Sequence, residues 1–131
     1  MAKDNWTYET SFQVPDELLK KKIVNLVFHG LDTIAEIRLN GKIIKNADNM
    51  FLAYVLPVKD EIITSNVLQV KFASPILASA LLAQEHKKNY TVPPECTPDQ
   101  YNGECHVNFL RKMQASFAWD WGPAFPSVGI W

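Results

Sequence analysis

The sequence predicts a mainly β protein, an antiparallel β-sandwich with one short helix. Three observations carry that prediction. Short runs in which apolar and polar residues alternate recur between residues 6 and 72, the pattern of half-buried antiparallel strands. Turn residues separate these runs, Asn40-Gly41 the clearest of them. Only one run has the i, i+4 apolar spacing of a helix, and no strand–helix alternation suggests a parallel sheet.

The first strand covers residues 6–14, with Trp6, Tyr8, Phe12 and Val14 on one parity and Thr7, Glu9 and Gln13 on the other. Pro15-Asp16 ends it, and Lys20-Lys21-Lys22 reads as a solvated turn. Residues 23–29 form a second strand, rich in Ile, Val, Leu and Phe, closed by Gly30. Residues 34–39 form a third, with Ile37 and Leu39 opposite Glu36 and Arg38. Asn40-Gly41 then predicts a type I′ hairpin turn, because both central positions need positive φ. Residues 42–45 return as its partner, and residues 46–49 are a loop. Residues 51–56 are a further strand stopped by Pro57, and residues 66–72 another, with Leu68, Val70 and Phe72 on one face.

Ser74-Pro75 opens the helix, since Ser caps well and Pro suits the first helical position. Ile76 with Ala80 and Leu77 with Leu81 predict one apolar face, packed on the sheet. Lys87-Lys88 suit the negative end of the helix dipole. Residues 89–108 are then irregular, a length uncommon in compact domains and often functional. The chain ends on Gly129-Ile130-Trp131, which reads as a strand that is cut off, and so predicts a fragment.

Composition bounds the function. At 131 residues the chain is of single-domain size; 47% apolar content allows a core, and 13 basic against 14 acidic residues leave a net charge of −1. That balance supplies no footprint for nucleic acid or for an anionic membrane surface. No apolar run reaches a membrane span, and no signal-peptide core opens the chain. The two cysteines, Cys96 and Cys105, stand in a Pro- and Gly-rich loop and are compatible with a disulfide; with only His106 beside them, no zinc set is evident. Asn5-Trp6-Thr7 and Asn89-Tyr90-Thr91 are glycosylation sequons at Asn5 and Asn89. Together these favour an oxidising, secretory compartment.

A glycosidase needs two carboxylates across the scissile bond, one with a raised pKa. The acidic residues fall mostly on turns and strand edges, including Asp16, Glu17, Asp60, Glu61, Glu95, Asp99 and Glu104. Asp120 alone has an aromatic setting, between Trp119 and Trp121, and no second acid accompanies it. Two readings of Trp119-Asp120-Trp121 stand. Sugar C–H faces stack on indoles while a carboxylate accepts from hydroxyls; equally, two core tryptophans can flank a turn aspartate before Gly122-Pro123. His29 reads as a packed strand-end side chain, and His86 and His106 as scattered; a Cys105–His106 thiol–imidazole pair is lost if Cys105 is oxidised. The five glycines form no phosphate loop. Self-contained catalysis, a metal and a cofactor are not expected.

The run Leu31-Asp32-Thr33-Ile34-Ala35-Glu36-Ile37-Arg38-Leu39-Asn40-Gly41, with Asp48-Asn49-Met50-Phe51 after it, resembles the N-terminal sugar-binding-like jelly-roll domain of glycoside hydrolase family two, a galactose-binding-domain-like fold. Arg111-Lys112-Met113-Gln114 through Ser116-Phe117-Ala118-Trp119-Asp120-Trp121-Gly122-Pro123 resembles the beta-mannosidase branch of that family. Gly103-Glu104-Cys105-His106, the two cysteines and Phe125-Pro126-Ser127-Val128-Gly129-Ile130-Trp131 are similar to the animal lysosomal type. The likeness spans nearly the whole chain, residues 1–131, as one incomplete domain.

The resemblance implies a retaining enzyme that removes terminal non-reducing β-mannose from oligosaccharides, acting in the lysosome. Its two catalytic glutamates lie in a later barrel domain of the same parent chain, and no residue here matches them, so this chain by itself is expected to be inactive. It implies that Asp120 accepts from mannose hydroxyls, that Trp119 and Trp121 shape that pocket, and that Cys96 and Cys105 form a disulfide bracing the upstream loop. Partners would be a mannose-terminated oligosaccharide and the barrel. Ala118 departs from the glycine often found there in related sequences. The alternatives are a free-standing carbohydrate-binding β-sandwich and a purely structural sandwich docked on another domain.

Overall fold

A computed structural model describes residues 2–131. The main sheet has four antiparallel strands in the order β1-β7-β4-β5: β1 (Trp6–Gln13), β7 (Ser65–Phe72), β4 (Ala35–Leu39) and β5 (Lys42–Ala47). β2 (Asn25–Phe28) pairs with β6 (Tyr54–Pro57), and β3 (Leu31–Asp32) pairs with β8 (Gly129–Ile130). The helices are the four-residue α1 (Asp16–Leu19) and the twelve-residue α2 (Pro75–His86).

Alternation sets the inner face of the main sheet. Ala35, Ile37 and Leu39 of β4 lie in register with Phe72, Val70 and Leu68 of β7. These side chains close one buried cluster with Phe28, Tyr54 and Leu56 of the β2–β6 pair and with Leu31, Val58 and Ile62. The Asn40-Gly41 turn is as expected, with φ of 51° and 82° and Leu39 facing Lys42. Asn40 does more than turn the chain: its amide donates to Asn66 Oδ1 (2.9 Å) and to the Glu61 carbonyl (2.9 Å), and its oxygen accepts from Val67 N–H (2.9 Å). Asn66 is wholly buried and also bonds both backbone groups of Ile63, so no buried amide group of that turn is left unpaired.

Several expectations need correction. The strand predicted at 6–14 exists, but it is not half-buried. Trp6, Tyr8, Thr10 and Phe12 share the inner face through their pairing with β7, yet Trp6 and Tyr8 remain 41% and 46% exposed. β1 is an edge strand, and Tyr8 meets Phe72 edge-on with ring centroids 5.9 Å apart. The strand predicted at 51–56 starts at Tyr54, because Phe51 and Leu52 lie in an exposed turn in which Asn49 Oδ1 accepts from Phe51 N–H (2.9 Å). β5 runs two residues past its predicted end, following β4 across a bulge at Ile37/Arg38. His29 is exposed and has no hydrogen-bond partner among the described residues.

Helix α2 starts where Ser74-Pro75 predicts, with Ser74 Oγ accepting from Leu77 N–H (3.1 Å). Its buried stripe is different: Pro75, Ser79 and Ala83 face inward, while Leu77 and Leu81 are exposed. The cap sets this phase. Ser74 Oγ donates to the Ala2 carbonyl and Ser74 N–H donates to Asn5 Oδ1, both at 2.8 Å. These anchors hold the first turn against the N-terminal segment and rotate the leucines outward.

The C-terminal run is a paired strand. Gly30 and Trp131 exchange backbone hydrogen bonds of 3.0 and 3.1 Å beyond the β3–β8 pair. A Cβ on Gly30 would lie 2.2 Å from the Trp131 ring, so only glycine admits that indole.

Candidate functional site

The segment carrying Trp119, Asp120 and Trp121 is a loop clamped at its base. Lys112 Nζ donates to Asp32 Oδ2 of β3 and to the Ser127 carbonyl (2.7 Å). Lys112 and Asp32 side chains are 1% and 8% exposed, so this is a buried ion pair that closes both ends of residues 113–126. Ser127 Oγ lies 3.4 Å from the same carboxylate oxygen. Next to the clamp, Met50 N–H donates to the Arg111 carbonyl (3.0 Å), tying the loop base to the 48–52 turn.

Above the clamp the chain makes a short 3-10 turn, Gln114–Phe117, whose Ser116 and Phe117 are buried. Phe125 N–H donates back to the Ser116 carbonyl (2.7 Å). Ala118 then takes φ 80° and ψ 159° and is 3% exposed. This is a region of backbone space held almost exclusively by glycine, which gives a physical meaning to the alanine noted in the sequence. Trp119 and Gly122 bridge to close a tight turn, with Gly122 N–H 3.4 Å from the Trp119 carbonyl.

Asp120 sits at the tip of that turn, exposed, and its carboxylate has no hydrogen-bond or ion-pair partner among the described residues. The two indoles do not take opposite sides of it. They face each other, with centroids 6.2 Å apart and 28° between planes. Tyr101 continues the stack on Trp119 at 5.6 Å and 29°. Trp121 is fixed by its Nε1–H, which donates to the Ala115 carbonyl (3.1 Å). The result is a three-ring wall with Trp121 63% and Trp119 37% exposed, beside a free carboxylate.

Tyr101 is delivered by residues 89–108, which contain only 3-10 turns (Asp99–Tyr101 and Val107–Phe109) and no strand. Cys96 and Cys105 are joined in a disulfide across this loop, so a Cys105–His106 pair has no thiol. Glu104 N–H donates to the Phe117 carbonyl (3.0 Å), and a Cβ on Gly103 would lie 2.6 Å from that same oxygen. The disulfide loop thus seats directly on the turn that precedes Trp119. His86 packs edge-on against Tyr90 (4.3 Å) and Phe109 (5.5 Å), and His106 lies near Phe109 with its Nδ1 buried and unpaired.

A small cavity of about 150 Å³ lies between the two loops, with Glu104, Gln114, His106, Trp119 and Trp121 in its wall. Glu95 also lines it, but its carboxylate pairs with Lys87 Nζ at 2.8 Å. The hydrogen bond and charge of Lys87 hold Glu95 below the ordinary glutamate range, the opposite of what a general acid requires. Sequence reasoning placed Glu95 and Glu104 on turns away from aromatic rings; the fold brings both beside the tryptophans. Tyr101, Asp32 and Lys112 were missed as parts of this region, since nothing local couples β3 to a segment 80 residues later. Of the sequons, Asn89 is exposed just after α2, whereas the Asn5 side chain is engaged with Ser74. Among the described residues no cluster of three His, Cys, Asp or Glu could hold a metal ion, and no helix is long and apolar enough to cross a membrane.

The whole of residues 1–131 matches the family model described as glycosyl hydrolase 2 galactose-binding domain-like. The chain is 47% identical over 128 residues to a beta-mannosidase of Mus musculus, covering 98% of this chain and 14% of that one. It is 45% identical to a beta-mannosidase of Capra hircus, covering 100% of this chain and 15% of the relative. Among solved structures, a beta-D-mannosidase from Dictyoglomus thermophilum superposes with a TM-score of 0.78 at 40% identity, over 98% of this chain and 15% of that one. The chain therefore spans about one seventh of the relatives it matches.

Proposed function

Because the chain belongs to the glycosyl hydrolase 2 galactose-binding domain-like family over its whole length, we propose that it is the sugar-facing part of a beta-mannosidase. In this reading it contributes substrate contacts from Trp119, Asp120 and Trp121 to a site completed by a catalytic barrel of the same parent chain. The parent hydrolyses terminal non-reducing β-D-mannose residues of oligosaccharides and glycoproteins with retention, in the lysosome. The reading rests on the likeness to named beta-mannosidases and on one geometric observation. An unpaired, solvent-facing carboxylate at Asp120 stands beside a rigid aromatic wall.

The chemistry follows from that geometry. An ionised carboxylate only accepts hydrogen bonds, and two adjacent sugar hydroxyls can donate to its two oxygens. The indole face offers a flat apolar surface to ring C–H groups, losing little entropy because Trp121 is already held by Ala115. The chain supplies binding and orientation. The acid and the nucleophile are assigned to the barrel by the likeness to beta-mannosidases; within this chain Glu95, held below the ordinary glutamate range by Lys87, does not suit the part of general acid.

The test is Asp120→Asn in the full-length protein, assayed on an aryl β-mannoside. Losing hydrogen bonds to a charged acceptor, worth roughly 1.5–3 kcal/mol, lowers kcat/KM by roughly 10- to 150-fold. An unchanged kcat/KM overturns the assignment. The 131-residue chain alone gives no turnover; hydrolysis by it that survives Asp120→Ala overturns the division of labour as well.

A further inference from the structure

We infer that the cavity between the disulfide loop and the tryptophan turn is a second sugar subsite. It would receive the pyranose on the reducing-end side of the scissile bond, with Glu104 and Gln114 as its hydrogen-bonding residues. The inference rests on the functional reading above, and adds a ligand class and two residues to it.

Four observations converge. The cavity shares Trp119 and Trp121 with the turn that presents Asp120, so a molecule bound there is adjacent to one held by Asp120. Its volume of about 150 Å³ is below the roughly 300–1,000 Å³ of drug-sized ligand pockets, a scale that suits a single sugar unit. Its wall sets the two indoles beside polar groups, a combination that a pyranose matches with C–H groups and hydroxyls. The Glu104 carboxylate and the Gln114 amide have no side-chain partners among the described residues. They therefore have their full hydrogen-bonding capacity available to a ligand.

The wall is also built to stay in place. Glu104 follows Gly103 directly, and its N–H is bonded to Phe117, while Cys105 locks the loop to Cys96. Glu95, the other carboxylate, is held by Lys87. That leaves Glu104 as the unpaired anion of this wall, an acceptor-only group suited to sugar hydroxyls and unsuited to an anionic ligand.

The experiment uses the full-length protein and two substrates, an aryl β-mannoside and a disaccharide of mannose β-linked to a second pyranose. The readout is the ratio of kcat/KM for the disaccharide to that for the aryl mannoside. Glu104→Gln and Gln114→Ala are each expected to lower this ratio by about tenfold, the worth of one hydrogen bond to a charged or polar group, with the loss carried in KM. Circular dichroism and a thermal midpoint within a few degrees of the parent establish that each variant is folded. Should Glu104→Gln misfold, Gln114→Ala decides. A ratio unchanged in the folded variants overturns the subsite. If Asp120→Asn still depresses both substrates in that case, the beta-mannosidase reading stands and only the subsite falls. If Asp120→Asn is also silent, both fall.

Discussion

Replacing Lys112 by methionine removes the ammonium from the buried pair with Asp32 and leaves a carboxylate 8% exposed with no counter-charge. The thermodynamic cost is dominated by that stranded charge. Breaking a buried ion pair by deleting one partner costs about 3–5 kcal/mol, and the bond to the Ser127 carbonyl (2.7 Å) is lost with it. For a domain with a total stability of ~5–15 kcal/mol this is a large fraction. With a urea m-value of ~2 kcal/mol/M the midpoint falls by about 2 M. Tryptophan fluorescence follows the transition, since two of the four tryptophans sit on the loop that the pair clamps. The double change Asp32→Asn with Lys112→Met removes both charges and keeps the carboxamide close to the shape of the acid. It is expected to be more stable than Lys112→Met alone by about 2 kcal/mol, the signature of a coupled pair in a double-mutant cycle. A midpoint that moves by less than about 0.5 M in Lys112→Met, or a double variant no better than the single, refutes the claim that the pair holds the loop.

Gly103→Ala drives a Cβ to 2.6 Å from the Phe117 carbonyl and 2.3 Å from Thr97 Oγ1. The first contact is backbone and cannot yield cheaply, so a loss of about 1–3 kcal/mol is expected, with increased acrylamide quenching of Trp119 as Tyr101 is pulled from its stack. Unaltered quenching and stability count against the seating of the disulfide loop. Lys87→Met removes the hydrogen bond and charge that depress Glu95, and a carboxyl-detected NMR titration should show Glu95 rising toward its ordinary value near 4.5. The sign follows from the depressed value. The Lys87–Glu95 contribution to stability is present above pH 4.5 and is lost as pH falls through the lower folded-state value; a Glu95 titration identical in the variant rejects the pairing.

Much of the strand pattern is legible in local sequence because it depends on period. β4 and β7 alternate so regularly that a one-residue slip would bury Glu36, Arg38 and Lys71. Asn40-Gly41 announces its turn because positive φ is costly for most other residues. Burial is another matter. Trp6 and Tyr8 alternate as well as any core strand, yet they are exposed, since coverage depends on whether a second layer extends over the edge of the sheet. The phase of α2 is likewise decided outside the helix. Its leucines have the right spacing, but bonds from Ser74 to Asn5 and Ala2, some 70 residues earlier, decide which face turns inward.

The candidate site divides along the same line. An acid flanked by two indoles drew attention to Trp119, Asp120 and Trp121 but left a sugar site and a core turn both open; the family came from the resemblance of runs of adjacent residues, and the match over residues 1–131 bears it out. Local sequence could not supply the stacking of Tyr101 on Trp119, the closeness of Glu104 to both indoles, or the Lys112–Asp32 clamp beneath them. Period and turn chemistry act over two to four residues, and the chain records them locally. A charge pair 80 residues apart, or a glycine that lets one loop lie on another, exists only once the sheets have closed and excluded water between those segments.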